Sequence, residues 1–193
     1  MFSQTQKGID IAGDNSKVVG GDDHSTTTHY HSYSKHTTKL SNLFDRLDQE
    51  YNSDNKIDEI NDDLQRYLTE RDTIGLEQKL LDGNIQHLYE DAMWLKEEYS
   101  KKLTKYVFFE PAQQIHAYLL AIVIEKFRNL IYPLFREGKS EAEIMKAVSE
   151  NINTPLLDVI REEGCNDIMG LNATDIDGMI YFLTGRCHIK WNI

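Results

Sequence analysis

Two regions of the chain differ in their pattern of apolar and polar positions. Over residues 39–193, apolar side chains recur every three or four positions, which is the period of an amphipathic α-helix. Residues 1–38 contain no leucine and are rich in Gly, Asp, Thr and His, with short β-prone runs. The pattern predicts an all-α, multi-helix bundle over residues 39–193, preceded by a polar, glycine-rich N-terminal segment over residues 1–38.

Caps and chain breakers divide the second region into successive helical segments. The central segment is apolar on most faces, so we expect it in the middle of the bundle. Ser140 and Glu143 have the spacing of a capping box at the start of the next segment. The predicted segments are 40–47, 53 or 54 to 68, 76–81, 85–103, 111–135 with a kink at Pro133, 140–152, a helix starting at Pro155, and a last one capped by Thr174 that ends at Gly185.

The N-terminal segment contains two short runs with strand character. Ile9 and Ile11 alternate with a polar residue, Val18 and Val19 form the second run, and Gly13 to Asn15 between them favour a turn. This order resembles short bacterial amyloid-signalling motifs, in which copies of a strand-turn-strand unit stack. A self-assembling signalling protein acting through residues 8–28 is therefore one hypothesis. A flexible tail, or a β-arch that pairs only with a partner, is the alternative, since the nearby aspartates oppose in-register stacking.

Charge and composition narrow the class of protein. The net charge of −11 at pH 7 opposes a surface that neutralises nucleic-acid phosphates, so no direct nucleic-acid binding is expected. The longest apolar run, residues 117–124, stops at a charged pair and is too short for a membrane span. With two cysteines and no apolar leader, the sequence favours a cytoplasmic protein with reduced thiols.

Three side chains near the C-terminus could form part of a metal site. Cys165, Cys187 and His188 are ligand types that zinc prefers, which leaves a metal-binding sensor or enzyme as a further hypothesis. The cysteines lack the short spacing of zinc motifs, and buried cysteine often serves as a small apolar residue. No phosphate-binding loop or nucleophile motif is present either, so we expect neither a cofactor nor catalysis.

The C-terminal sequence Thr-Gly-Arg-Cys-His-Ile-Lys-Trp over residues 184–191 follows the last predicted helix. It resembles the C-terminal domains of bacterial ABC-three-component conflict systems, and Lamassu-type anti-phage systems are similar in organisation. Such systems combine an SMC/Rad50-like ABC ATPase, a small middle component and an effector that ends in a helical domain. In this chain we expect the N-terminal segment to occupy the position of the usual fused effector. It would then be a minimal effector itself, or the chain would work purely as a connector.

This resemblance implies a non-catalytic helical adaptor in a bacterial antiviral defence complex. Its implied partners are the SMC-like ABC ATPase and the other subunits, and a homo-oligomer is left open. Gly185, Cys187, His188 and Trp191 are carried over as a packing and docking signature. Gly185 would end the last helix, and His188 with Trp191 would anchor the tail against the bundle or a partner.

Overall fold

Helices provide all the regular secondary structure of the part of the chain that the computed structural model describes, residues 38–71 and 74–192. The all-α prediction for the bundle is confirmed. The predicted boundary at residue 38 and the β-prone interpretation of residues 1–38 depend on a segment outside the described residues. The helices are α1 (Lys39–Asn52), α2 (Asp62–Leu68), α3 (Leu76–Asp82), α4 (Tyr89–Tyr106), α5 (Glu110–Lys126), α6 (Tyr132–Arg136), α7 (Glu141–Val148), α8 (Thr154–Glu163) and α9 (Ala173–Gly185).

Helix α1 packs against α5 through a single apolar stripe. The side chain of Thr38 caps the helix by accepting a hydrogen bond from the N–H of Ser41 at 3.1 Å. Polar side chains cover the opposite face, so the stripe fixes which side of the helix turns inward. The buried residues of the stripe are Leu40, Leu43, Phe44 and Leu47.

Helix α2 starts later than the sequence pattern predicts. It begins at Asp62 with Asn61 as its cap, and the prediction of a start near Ser53 or Asp54 is wrong. Asp54 has a φ of 54°, a left-handed conformation that ends the helical path after α1. The spacing of Ile57 and Ile60 is therefore not a helical stripe.

From Ile57 onwards, the segment between α1 and α2 forms backbone hydrogen bonds with the α4–α5 turn and with α5. The N–H of Ile57 donates to the carbonyl of Phe108 at 2.8 Å. The fully buried side chain of Gln113 accepts from the N–H of Asn61 at 2.8 Å and donates to the carbonyl of Glu59 at 2.9 Å. These remote partners explain why local periodicity could not predict the segment.

Helix α5 lies at the centre of the bundle, as its nearly uniform apolar character predicts. A π-helical segment, Phe127–Ile131, joins it to α6, and within it the N–H of Tyr132 donates to the carbonyl of Phe127. Pro133 lacks the N–H that would bond the carbonyl of Asn129, and the wider turn lies just before it. Among the described residues, no helix combines the length and apolarity needed to cross a membrane.

The predicted capping box starts α7. The carboxylate of Glu143 accepts from the N–H of Ser140 at 2.9 Å, and the Ser140 hydroxyl accepts from the N–H of Glu143 at 3.4 Å. The sequence predicts a separate helix starting at Pro155, but the helical path continues from α7 into α8 through a second π-helical segment, Ser149–Asn153. Again the wide turn precedes the proline, which therefore does not break the helix.

Helices α4 and α9 form the most extensive helix pair in the bundle. They approach closely at Gly178, where an added Cβ would lie 2.6 Å from both the Leu95 carbonyl oxygen and the Tyr99 Cβ. The ring of Tyr99 also packs edge-on against Phe182 with centroids 5.4 Å apart. The absence of a side chain at residue 178 is what allows this approach.

Candidate partner-docking site at the C-terminal tail

The tail after α9 turns back onto the bundle and buries its tryptophan. Trp191 is 2% exposed. Its ring meets Phe127 edge-on with centroids 5.2 Å apart and stacks on Tyr181 with centroids 6.1 Å apart. Phe135 adds a second edge-on contact at 6.4 Å. Three segments of the bundle thus surround this one side chain, and the tail is anchored within the domain.

A hydrogen bond fixes the orientation of the indole. The Trp191 Nε1–H donates to the hydroxyl oxygen of Thr184 at 3.1 Å, and that hydroxyl donates to the carbonyl of Ile180 at 2.8 Å. On the other side, Gly83 lies so close that a Cβ there would be 2.5 Å from the Trp191 Cβ. The buried polar atom of the indole is therefore satisfied, and the ring has no room to shift towards α3.

A buried lysine caps the end of α9. The Lys79 ammonium donates to the carbonyls of Thr184 at 2.6 Å and Gly185 at 3.0 Å, and the residue is 7% exposed. The last carbonyls of a helix lack intrahelical partners and carry partial negative charge, so a cation is favourable there. Sequence reasoning missed Lys79, because its partners lie more than a hundred positions away.

Helix α9 ends in a Schellman motif with an unusual residue in the left-handed position. The N–H of His188 donates to the carbonyl of Leu183 at 2.9 Å, and the N–H of Cys187 donates to the carbonyl of Thr184 at 3.1 Å. Cys187 has a φ of 64°, where glycine is the usual residue. Gly185 is the last helical residue, as predicted, but the left-handed turn lies two positions further on.

His188 lies under α2 and is 4% exposed. Its ring centroid is 5.7 Å from that of Tyr67. Burial and the nearby positive charges of Arg71 and Arg128 lower the pKa of His188. Neither ring nitrogen reaches hydrogen-bond geometry with a described residue. A neutral imidazole held by packing is the state that this environment favours.

Arg186 ties the tail to the end of α2. Its guanidinium donates to the carbonyl of Leu68 and lies 5.0 Å from the centre of the Phe182 ring. Of the four predicted docking residues, His188 and Trp191 are buried, and Gly185 and Cys187 are half-buried. The geometry shows that the tail joins α2, α3 and α9, and its direct contact with a partner stays a prediction.

The three candidate zinc ligands do not form a cluster. Within residues 38–71 and 74–192, no three His, Cys, Asp or Glu side chains are grouped in a way that could hold a metal ion. The Cys165 thiol lies 3.9 Å from the Glu162 carbonyl, whereas the Cys187 thiol lies 3.8 Å from the Ile74 carbonyl. Cys187 and His188 are adjacent in sequence, but the fold does not place Cys165 beside them.

The predicted self-assembly residues belong to the N-terminal segment. Ile9, Ile11, Val18 and Val19 fall outside the described residues. The self-assembly hypothesis for residues 8–28 consequently stays a prediction.

A tyrosine–histidine pair in the core was also missed by sequence reasoning. Both Tyr99 and His116 are fully buried, and the Tyr99 hydroxyl lies 3.1 Å from the His116 Nδ1. Burial, assisted by the positive charge of Lys102, lowers the pKa of His116 to about 3. Burial and the negative charge of Asp175 raise the pKa of Tyr99. Both groups are neutral near pH 7, which suits a structural hydrogen bond in the core.

Comparison with known proteins identifies the domain. No curated protein and no solved structure matches the chain. A protein-family model does match, over residues 75–191, which is more than half of the chain and runs from the start of α3 to the buried tryptophan. The chain therefore belongs to the family described as C-terminal domain 9 of the ABC-three component (ABC-3C) systems.

Proposed function

We propose that this chain is a non-catalytic helical adaptor, and that it binds the SMC/Rad50-like ABC ATPase of a cytoplasmic anti-phage complex. The family match over residues 75–191 carries the proposal, because it makes the chain a component of an ABC-3C system. An adaptor in a multi-subunit system acts by presenting a rigid surface to its partners. The close packing of α4 against α9 and the buried tail support such a surface.

The tail is proposed to contribute indirectly, by fixing the helices that carry the contact surface. Trp191 and Lys79 have their polar atoms satisfied within the domain. Removing the Trp191 ring would leave a cavity costing about 3–5 kcal/mol of unfolding free energy. Loss of partner binding in Trp191→Ala would therefore report unfolding as well as docking, and it is not a clean test of contact.

The decisive experiment uses the wild-type chain. The full chain, carrying an affinity tag, is co-expressed with the genes that flank it and purified through the tag. We expect an SMC-like ATPase to be retained at a fixed stoichiometry through size-exclusion chromatography. An unrelated acidic helical protein with the same tag serves as the control. Purification of the chain alone, with the ATPase expressed in soluble form, would contradict the adaptor proposal.

A further inference from the structure

One face of α4 exposes a tryptophan to solvent. Trp94 is 56% exposed, more than any other large apolar side chain among the described residues. It makes no hydrogen bond or ring contact with another described residue. Tryptophan is enriched at the energetic centres of protein interfaces. Trp94 is therefore a candidate anchor for a partner.

Acidic residues surround Trp94 on the same face. Carboxylates occupy the positions three and four residues before and after it, which are its neighbours on the helix surface. Glu98 pairs with Lys101 at 2.6 Å, but the other three make no ion pair with a described residue. These three unpaired side chains are Glu90, Asp91 and Glu97.

Packing holds the face in place. Helix α4 lies against α9 on its opposite side, where Tyr99 and Gly178 are in close approach. The Asp91 carboxylate is also near Tyr181, whose pKa is raised to about 12 by burial and by the negative charges of Asp177 and Asp91. The indole and its carboxylates thus project from a rigid helix and lose little freedom when a partner binds.

We propose that this Trp94 face binds a positively charged, arginine-bearing segment of a partner protein. A guanidinium stacks on an indole through cation–π attraction, and its N–H groups match flanking carboxylates better than the compact lysine ammonium does. The like charge of the carboxylates repels nucleic-acid phosphates. That the partner is another subunit of the same complex rests on the proposed adaptor function, whereas the chemistry of the surface does not.

Calorimetric titration of the full chain with a nona-arginine peptide tests this chemistry directly. We expect Trp94→Ala to bind the peptide about tenfold more weakly than the wild type. The double substitution Glu90→Gln with Glu97→Gln should weaken binding and flatten its salt dependence. Wild type should prefer nona-arginine to nona-lysine, and Trp94→Ala should lose that preference. Equal binding of nona-arginine by wild type and Trp94→Ala would overturn the proposal.

Phe108→Ala is the matched control, because Phe108 is 47% exposed and lies beyond the C-terminal end of α4. It should bind nona-arginine like the wild type. Trp94→Ala removes an exposed side chain, so it should unfold at the same urea concentration as the wild type. Equal weakening by Phe108→Ala would also overturn the proposal, since the effect would not belong to the Trp94 face.

The co-expression experiment separates this inference from the adaptor proposal. If the wild type retains the ATPase and Trp94→Ala releases it, both are supported. If both proteins retain the ATPase and the other subunits equally, the Trp94 face is not an interface of the complex, and the inference fails while the adaptor proposal stands. If the wild type retains no ATPase, the adaptor proposal fails, and the peptide titration alone decides the inference.

Discussion

Cys187 occupies a backbone conformation that suits glycine better than cysteine. Its φ of 64° places the Cβ close to the following carbonyl, yet the two hydrogen bonds of the Schellman motif depend on this conformation. The turn also aims the chain so that His188 and Trp191 enter the core. The cost at one residue is therefore offset by the packing of the residues that follow it.

Replacing this residue should stabilise the domain. Cys187→Gly removes the Cβ from a left-handed position, so we expect the free energy of unfolding to rise by about 1 kcal/mol. Urea denaturation followed by circular dichroism measures the change. Cys187→Ala is the control, because it removes the thiol and keeps the Cβ. If Cys187→Ala raises the free energy of unfolding as much as Cys187→Gly does, then the thiol, and not the backbone conformation, is the source of strain.

His116 should make stability depend on pH. Its pKa of about 3 in the folded state lies below the ordinary value of 6.5, so the unfolded state binds more protons below pH 6.5. Stability is then full above pH 6.5 and falls as the pH decreases from 6.5 towards 3. We expect a loss of about 2 kcal/mol between pH 7.5 and 5.0 from this residue.

Urea denaturation at the two pH values measures this loss in the wild type and in His116→Gln, whose amide does not titrate. His188 contributes with the same sign in both proteins, and the difference between them isolates His116. If His116→Gln loses as much stability between pH 7.5 and 5.0 as the wild type, then His116 does not titrate as its burial requires.

At the level of single residues, the sequence predicted those features whose partners lie nearby. Ser140 and Glu143 were recognisable as a capping box because the two side chains exchange bonds within one turn. The sequence predicts a cap at Thr174, which is wrong, because Asn172 caps α9 together with Asp175. Lys79 and His116 could not be predicted as buried, because their partners in α9 and α4 are brought close only by the tertiary fold.

Between elements, Gly178 sets how closely α4 and α9 can pack. Gly178→Ala would place a Cβ within 2.6 Å of the Leu95 carbonyl oxygen, so the helices must separate. We expect the free energy of unfolding to fall by about 2 kcal/mol. Chemical denaturation gives the change. Gly75→Ala is the matched control, because nothing lies within 4 Å of its Cβ position, and it should cost less than about 1 kcal/mol.

An equal cost for the two glycine substitutions would contradict the close-approach explanation. Helix propensity alone favours alanine over glycine inside α9, so a loss of stability in Gly178→Ala can only reflect the contact with α4. Nothing in the sequence indicates this contact, since Gly178 lies within the predicted last helix like any other residue of that helix.

The sequence pattern predicts a helix correctly where a single apolar stripe of that helix packs against the bundle. Leu40 to Leu47 form such a stripe, and α1 is where the pattern predicts it. The failure at residues 55–61 has a specific cause, because Gln113 and the Phe108 carbonyl supply the hydrogen bonds that a helix would otherwise make internally. Pro155 was interpreted as a helix start because a π turn cannot be recognised from proline spacing.

At the scale of the whole molecule, the family match and the packed domain begin at different residues. The match starts at residue 75, whereas α1 and α2 lie before it and pack on α5. Their buried residues include Phe44 and Leu64, both with no exposed surface. We therefore expect the cooperative unit to begin at α1.

A comparison of two fragments tests the extent of this unit. Residues 38–193 should unfold cooperatively. Residues 75–193 lack α1 and α2, which cover α5, and they also lack the Gln113 hydrogen bonds to residues 59 and 61. We expect the shorter fragment to bind the dye ANS and to unfold over a broad denaturant range. A sharp transition for residues 75–193, with the same steepness as the longer fragment, would contradict this expectation.

The class of the domain was accessible from the sequence, but its contact surface was not. The helical period predicts the all-α class, and the sequence over residues 184–191 resembles the family that the match confirms. A tryptophan near the end of the sequence predicts a docking segment, but the burial of Trp191 within the domain depends on the tertiary fold. Trp94 carried no such signal, since exposure depends on which face of α4 meets α9.

The two π-helical segments have a consequence for comparing relatives of this chain. A π turn holds about one residue more than an α-helical turn, so it marks an insertion accommodated without ending the helix. In relatives that lack the extra residue, gap-free alignment would shift every position after the segment by about 100° around the helix axis. Alignment gaps should therefore fall within Phe127–Ile131 and Ser149–Asn153, and not in the loops where gaps are usually placed.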